Sequence, residues 1–182
     1  MVKTASVIVQ TPRFNRRALA LFTLLASSGC AVPLATAGPN GGAVVGGNGS
    51  ISQSGANTMI LQNSQNMAID WQSYNVNVNV NVNVDERVQY LQPNASAISL
   101  NRILSQNGST IAGRIDANGQ VILVNPNGIF FTPISIINVG GIIASGLDMQ
   151  PLDFMNGQYI FNEVLGTDGV VMHNDGSHHL AA

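Results

Sequence analysis

The side chains best suited to chemistry are a histidine cluster near the carboxyl end and several scattered carboxylates. His173, His178 and His179 surround Asp175, and imidazole and carboxylate groups can ligate Zn²⁺ or Ni²⁺. We interpret this cluster as a frayed tail and expect neither a metal site nor a cofactor. A weak metal site in the tail is the alternative.

Carboxylates could serve a second chemistry, the cleavage of glycosidic bonds, which needs two of them facing one substrate. No pair has a compelling partner in the sequence, no Ser-His-Asp or Cys-His arrangement is visible, and we expect Asp116 and Arg114 at solvated turn edges. We therefore predict a non-catalytic protein, with a carbohydrate-active enzyme as the alternative. The available acids are Asp70, Asp85, Glu86, Asp116 and Asp148.

The first 37 residues have the order of a secretory signal peptide. Four of the seven basic residues lie in the first 17 positions, an apolar run follows at 18–26, and Ala-Thr-Ala precedes Gly38. This order predicts export by the Sec machinery and cleavage between Ala37 and Gly38. A short membrane anchor, or a lipoprotein signal ending at Cys30, is the alternative.

The remainder of the chain is acidic and free of lysine and cysteine. Its three arginines face nine acids, a formal charge of −6. Such a surface binds nucleic acid and anionic membranes poorly, so we exclude nucleic acid as a partner. Without cysteine the exported part has no disulfides and must be held together by other means.

Short strands separated by Gly, Asn, Ser and Asp predict an all-β fold. Residues 38–49 read as a Gly-rich leader with little structure of its own. The apolar runs 121–124 and 134–137 do not alternate, which favours parallel strands stacked in coils. We predict a right-handed parallel β-helix with extra-helical hairpins, whose first coil is covered by a capping segment at residues 50–74.

Three local patterns refine this prediction. Five consecutive Asn-Val pairs at residues 75–84 give the period-two pattern of a strand, and we interpret them as a low-complexity insert in a hairpin rather than a binding ladder. Residues 153–157 are expected to form a helical turn or a loop. Trp71, the only tryptophan, reads as a core or cap residue, with a carbohydrate-stacking platform as the alternative.

Two tight-turn signals enclose the strand at residues 120–124. Asn118-Gly119 suits a hairpin-type turn that needs positive φ. In Asn125-Pro126-Asn127-Gly128, proline, asparagine and glycine occupy the second, third and fourth turn positions that they favour. No side chain in this stretch is a nucleophile, acid, base or metal ligand, which points to a surface that is recognised rather than one that reacts.

Nine segments in the same order resemble the amino-terminal secretion domain of two-partner-secretion exoproteins, the filamentous haemagglutinin and haemolysin family. Together they cover roughly residues 49–161. The segments are residues 53–56, 62–64, 68–74, 88–93, 100–103, 111–113, 117–121, 125–129 and 139–145.

The resemblance implies a β-helical secretion domain at residues 50–170, followed by a tail at 171–182 that begins a repeat region. It implies export to the periplasm and recognition by an outer-membrane β-barrel transporter with periplasmic docking domains. It also implies a protein secreted to the cell surface, adhesin-related and in contact with host or neighbouring cells, or alternatively a fragment of a haemolysin or contact-dependent toxin. The residues predicted to carry recognition are Asn125, Pro126, Asn127, Gly128, Ile129, Asn101 and Arg102.

The chain departs from the family pattern in two respects. The Asn-Val run stands where the family has a short connection, so we interpret it as an insertion. Family exoproteins continue for hundreds to thousands of residues, so we interpret this chain, which ends at Ala182, as a truncated member or an isolated secretion domain.

Overall fold

The computed structural model describes residues 38–79, 84–167 and 169–173. The predicted signal peptide, with Ala37 of its cleavage site, and the tail histidines His178 and His179 lie outside these residues. The strands within the described residues are β1 (Ala43–Gly46), β2 (Gly49–Ser54), β3 (Asn57–Gln62), β4 (Asn66–Trp71), β5 (Val78–Asn79), β6 (Val84–Asp85), β7 (Arg87–Leu91), β8 (Ile98–Ile103), β9 (Ser109–Ile111), β10 (Arg114–Ala117), β11 (Gln120–Val124), β12 (Ile129–Phe131), β13 (Ile136–Asn138), β14 (Gly141–Ser145) and β15 (Val171–His173), and the helix is α1 (Pro151–Met155).

Three parallel sheets form the body of the fold. Sheet 1 contains β4, β8, β11 and β14, sheet 2 contains β3, β7, β10 and β13, and sheet 3 contains β9, β12 and β15. The chain passes from sheet 2 to sheet 1 to sheet 3 and returns to sheet 2 one strand further along, so each circuit adds one coil. This stacking of like units is a parallel β-helix, which confirms the predicted fold class.

The interior of the coils is a stack of apolar side chains. Each inward position of one coil lies over an inward position of the next, as Val88 on β7 pairs in register with Ile115 on β10. Burial of this stack is the main source of stability for a chain without disulfides. The buried aliphatic members include Ile60, Ile69, Val88, Ile103, Ile111, Ile115, Val121, Leu123 and Ile129.

Strand β11 shows why the run at 121–124 does not alternate. Val121 and Leu123 belong to the interior core, whereas Ile122 and Val124 belong to a second buried cluster on the outer face of sheet 1. Phe154 of α1 packs in that outer cluster. Because both faces of β11 are buried, each of these positions is apolar, as is usual for strands in parallel sheets.

The first coil is capped by two antiparallel strands. Strand β1 pairs with β4 and β2 pairs with β3, both antiparallel, so they cover the edges of sheets 1 and 2. The expectation that residues 38–49 have little structure is therefore wrong, and the cap lies at residues 43–54, earlier than predicted. The glycines permit close packing here, since a Cβ on Gly42 would lie 2.4 Å from the Trp71 ring.

The Asn-Val run leaves the coil as a hairpin. Val76 is buried and bridges to Ile111 of the next coil, and the chain then turns outward into β5, which pairs antiparallel with β6. The base of the hairpin closes where the Glu86 N–H donates to the Asn77 carbonyl at 3.0 Å. The interpretation of this run as a hairpin insert agrees with the structure, and residues 80–83 lie outside the described residues.

A second excursion leaves the coil between β14 and β15. Its two ends meet at Gly146 and Gly169, where a Cβ on Gly146 would lie 1.9 Å from the Gly169 carbonyl oxygen. Residues 147–162, which we call the strap, contain α1, in agreement with the helical turn expected near residue 153. The backbones of Asp148 and Asn162 exchange two hydrogen bonds, of 2.8 and 2.7 Å, which draw the strap into a closed loop.

Candidate functional site

The segment Asn125-Pro126-Asn127-Gly128 forms the tight turn that its sequence predicts, between β11 and β12. The Gly128 N–H donates to the Asn125 carbonyl at 2.8 Å, and the Asn125 Oδ1 accepts the Asn127 N–H at 2.9 Å. Gly128 has a φ of +94°, a region that glycine enters without the cost that a Cβ would bring. The turn carries the chain from sheet 1 to sheet 3.

Asn125 is fully buried and links three coils. Its Nδ2 donates to the Ser109 Oγ at 3.0 Å and to the Asn107 carbonyl at 3.2 Å, both in the preceding coil. Its backbone N–H donates to the Ser145 carbonyl of the following coil at 3.0 Å. In the folded domain this side chain therefore sets the stacking of the coils and is not open to a partner.

The other predicted residues of the turn divide between surface and core. Asn127 is exposed and Pro126 half-buried, while the Asn127 Nδ2 donates to the Ser105 carbonyl at 2.7 Å. Ile129 is a buried core residue. The accessible part of the motif is thus limited to Pro126 and Asn127.

Asn101 is also buried, at the centre of a polar network inside the coils. Its Oδ1 accepts the Trp71 Nε1–H at 3.0 Å and the Tyr90 hydroxyl at 2.9 Å. Its Nδ2 lies 3.3 Å from the Ile122 carbonyl of the next coil, and the Tyr90 and Tyr74 hydroxyls are 2.8 Å apart. One side chain therefore joins three successive coils.

The buried network also defines the role of Trp71 and the protonation of the two tyrosines. Trp71 is 1% exposed, so it is a core residue and has no free face on which a sugar could stack. The centroids of the Trp71 and Tyr74 rings are 5.5 Å apart, and the ring planes are nearly perpendicular, at 86°. Burial raises the pKa of Tyr74 and of Tyr90 well above the usual value of a phenol, so both hydroxyls stay protonated and available as donors.

Arg102, the neighbour of Asn101, points to the outer face of sheet 1. Its Nε and Nη2 donate to the two carboxylate oxygens of Asp70 at 2.9 and 2.8 Å, a bidentate geometry that is among the stronger ion pairs. Its Nη1 lies 3.7 Å from the Asp148 carboxylate and 3.4 Å from the Gln150 Oε1, both in the strap. Arg102 thus connects β4 with the strap.

Asp116 and Arg114 do not lie at turn edges as expected but on strand β10. Asp116 accepts from the Arg114 Nε at 2.7 Å, the Arg87 Nε at 2.6 Å and the Asn138 Nδ2 at 3.1 Å. The hydrogen bond from Arg114, with help from Arg87 and Asn138, lowers the pKa of Asp116 to about 2. The pairing of Arg87 with Asp116 across neighbouring strands cannot be read from local sequence, because the two residues are 29 positions apart.

These contacts occupy four of the five acids that were considered for catalysis, and the fifth, Asp85, is exposed at the end of β6. Asp70 and Asp148 share Arg102, and Asp116 is held by two arginines. Glu86 is buried at the base of the hairpin, where its Oε2 accepts the Asn77 N–H at 2.6 Å. Each of these four carboxylates has a structural partner that explains its presence.

The described residues contain neither a cluster of metal ligands nor a membrane-spanning helix. Over 38–79, 84–167 and 169–173, no three or more His, Cys, Asp or Glu side chains converge to hold a metal ion. No helix in the same part of the chain has the length and apolar character to cross a membrane.

A ladder of buried amides at the corner between sheets 2 and 1 was missed by the sequence reasoning. The Gln92 Nε2 donates to the Gln62 Oε1 at 3.2 Å, and the Gln92 Oε1 accepts the Gly119 N–H at 2.9 Å. The Asn118 side chain exchanges two 2.7 Å hydrogen bonds with the Gln92 backbone. The available signal was that Gln62 ends an alternating strand and Gln92 follows one, each just before a turn.

Comparison with known proteins identifies the family that this chain matches. Residues 35–179 match the family model described as TPS secretion domain, where TPS denotes two-partner secretion. Two proteins named heme/hemopexin-binding protein, both from Haemophilus influenzae, are 32% identical over 137 and 149 residues; the alignments cover 75% and 81% of this chain but 14% and 15% of those proteins. The crystal structure of the HMW1 secretion domain from Haemophilus influenzae superposes with a TM-score of 0.65 and 30% identity, covering 75% of this chain and 35% of that one.

Proposed function

The chain belongs to the TPS secretion domain family, and from this premise we propose that its partner is an outer-membrane β-barrel transporter with periplasmic docking domains. The chain reaches that transporter through the periplasm, after Sec export and cleavage between Ala37 and Gly38. A TPS secretion domain works by being recognised and passed on, so its residues are selected for recognition and folding rather than for turnover. The family match over residues 35–179 is the observation that carries this proposal.

The transporter reads the segment around Asn125 before the turn has closed. Burial supports this timing, because Asn125, Gly128 and Ile129 are covered in the folded domain and Asn101 lies inside the coils. An unfolded chain presents all of them at once. The seven predicted residues therefore act as a sequence that is recognised first and as a scaffold that folds afterwards.

Passage in an unfolded state suits the covalent structure of the chain. After residue 37 the sequence contains no cysteine, so no disulfide has to be broken before the chain threads through a pore. Once outside, each coil can add to the capped coil before it, because solenoid units contact only their neighbours.

The protein that this domain exports is a surface exoprotein related to adhesins, in contact with host or neighbouring cells. The relatives named for binding heme and hemopexin are much longer, since this chain spans only 14–15% of their length. Their names therefore suggest heme and hemopexin as ligands to test, but they do not assign a ligand to this domain.

The decisive experiment separates recognition from folding. The chain is co-expressed with a partner transporter, and secreted and periplasmic fractions are compared for Asn125→Ala, Trp71→Ala and the control Asn63→Ala. Asn63 is exposed, and its Nδ2 donates to the exposed Asn48 side chain.

Asn125→Ala should accumulate in the periplasm, whereas Trp71→Ala, which damages the fold but leaves the motif intact, should still appear outside. Normal secretion of Asn125→Ala would refute a role of this motif in recognition. Retention of Trp71→Ala together with Asn125→Ala would show that the folded domain is what the transporter reads.

A further inference from the structure

The strap covers an apolar surface that the β-helix would otherwise expose. Met149 and Phe154, both fully buried, pack on the outer face of sheet 1 and form a cluster separate from the core inside the coils. A solvent-exposed apolar stripe of this kind is unusual on a soluble domain unless something covers it. The sheet residues beneath the strap are Ala68, Leu100, Ile122 and Val124.

The strap also spans the height of the β-helix. It leaves the coil after β14, in the fourth circuit of the chain, and reaches the cap strand β1, where Met155 packs against Gly46. A Cβ on Gly46 would lie 2.8 Å from the Met155 Cγ, so the contact is close. The first and last described coils are therefore tied together by one segment.

Polar contacts hold the strap at its start. Arg102 reaches both Asp148 and Gln150, and the Gln150 Nε2 donates to the Asp148 Oδ2 at 2.8 Å. The Arg102 side chain is 16% exposed, so these contacts are partly shielded from water and weakened less by salt than a fully exposed pair.

The backbone hydrogen bonds of the strap, by contrast, are internal to it. They join Asp148 with Asn162, Phe154 with Gln150, and Gln158 with Asp153. The strap can therefore leave the surface without breaking the hydrogen-bond ladder of any sheet. Side-chain packing and the contacts of Arg102 are what keep it closed.

We propose that the strap is a latch that opens and closes independently of the β-helix, and that its closure locks the fourth coil to the cap strand. Segments with few ties to the sheets open locally at a free energy below that of global unfolding. The open state exposes Leu100, Ile122 and Val124, and Arg102 is the positioning residue that guides the strap back.

Hydrogen exchange followed by mass spectrometry on the purified chain tests the latch. The strap peptide (residues 147–162) is compared with peptides from β8 and β11, in the original chain and in Phe154→Ala and Asp148→Asn. Phe154→Ala should raise the opening constant of the strap by about a hundredfold, because it removes a fully buried ring. Asp148→Asn should raise it only about threefold, because a single ion pair is lost.

The control variant is Ile115→Val, which lies in the interior core and does not touch the strap. It should speed exchange in β8 and β11 with no selective effect on residues 147–162. The latch is supported if Phe154→Ala frees the strap while β8 and β11 stay protected. It is overturned if strap and sheets exchange as one unit in every variant, or if neither strap variant changes exchange.

Discussion

Replacing the fully buried Asn101 with leucine should destabilise the domain strongly. The substitution keeps the branched shape of the side chain but removes the acceptor of the Trp71 Nε1–H and the Tyr90 hydroxyl. Tyr90 retains Tyr74 as a partner at 2.8 Å, whereas the indole N–H is left buried without an acceptor. An unsatisfied buried donor costs about 1–3 kcal/mol, and with the lost amide bonds we expect about 2–4 kcal/mol.

The assay is urea unfolding of the purified chain, followed by circular dichroism in every variant and also by tryptophan fluorescence in the variants that keep Trp71, the only tryptophan. The matched control is Tyr74→Phe, which removes one bond at the end of the network and should cost about 1 kcal/mol. In a Trp71→Phe background the cost of Asn101→Leu should fall by at least about 1 kcal/mol, because the stranded donor is gone. A cost for Asn101→Leu no greater than that of Tyr74→Phe would refute the reasoning.

Three further predictions follow from the corners and the outer faces of the coils. Gly146→Ala should lower the melting temperature markedly, because its Cβ would lie 1.9 Å from the Gly169 carbonyl oxygen. The control Gly141→Ala should be tolerated, because the nearest atom to its Cβ lies 3.5 Å away. Equal melting temperatures for the two variants would contradict this prediction. The pKa of Asp116 is lowered from 3.8 to about 2, so its stabilising effect is complete above pH 4 and is lost as the pH falls towards 2. When the unfolding free energy is measured as a function of pH in acid, it should decline less for Asp116→Asn than for the original chain. Replacing residues 80–83 with Asn-Gly, which favours a tight hairpin turn, should change the unfolding free energy by less than about 0.5 kcal/mol, and a larger loss in urea unfolding would show that the hairpin supports the coils.

Local patterns predicted several elements of this fold, but the hairpin-type turn with positive φ expected at Asn118-Gly119 is wrong, because Gly119 is not among the glycines with positive φ and β10 and β11 lie in different sheets. The turn at Asn125 and the non-alternating apolar run of β11 both follow from side-chain preferences within a few residues. The family resemblance predicted the β-helix and the secretion role, both of which the comparisons confirm.

Contacts between coils were beyond the reach of the sequence. Asn101 and Trp71 are 30 residues apart, and Arg87 and Asp116 are 29 apart, so their pairing depends on a stacking register that no local periodicity reveals. The glycines of residues 38–49 indicate a segment with little structure of its own, although close packing against Trp71 is what requires Gly42. Within the strap, the sequence predicts only a helical turn or a loop at residues 153–157, and the face that the strap covers lies on strands far away in the sequence.

The closed base of the Asn-Val hairpin has a consequence for heredity. Because the hydrogen bond between Asn77 and Glu86 closes the hairpin inside the repeat, a change in the number of pairs beyond Asn77 leaves the path of the β-helix unchanged. Gain or loss of a whole Asn-Val pair preserves the period-two alternation of the sequence pattern. The tract can therefore lengthen or shorten between generations while the coils on either side remain unchanged.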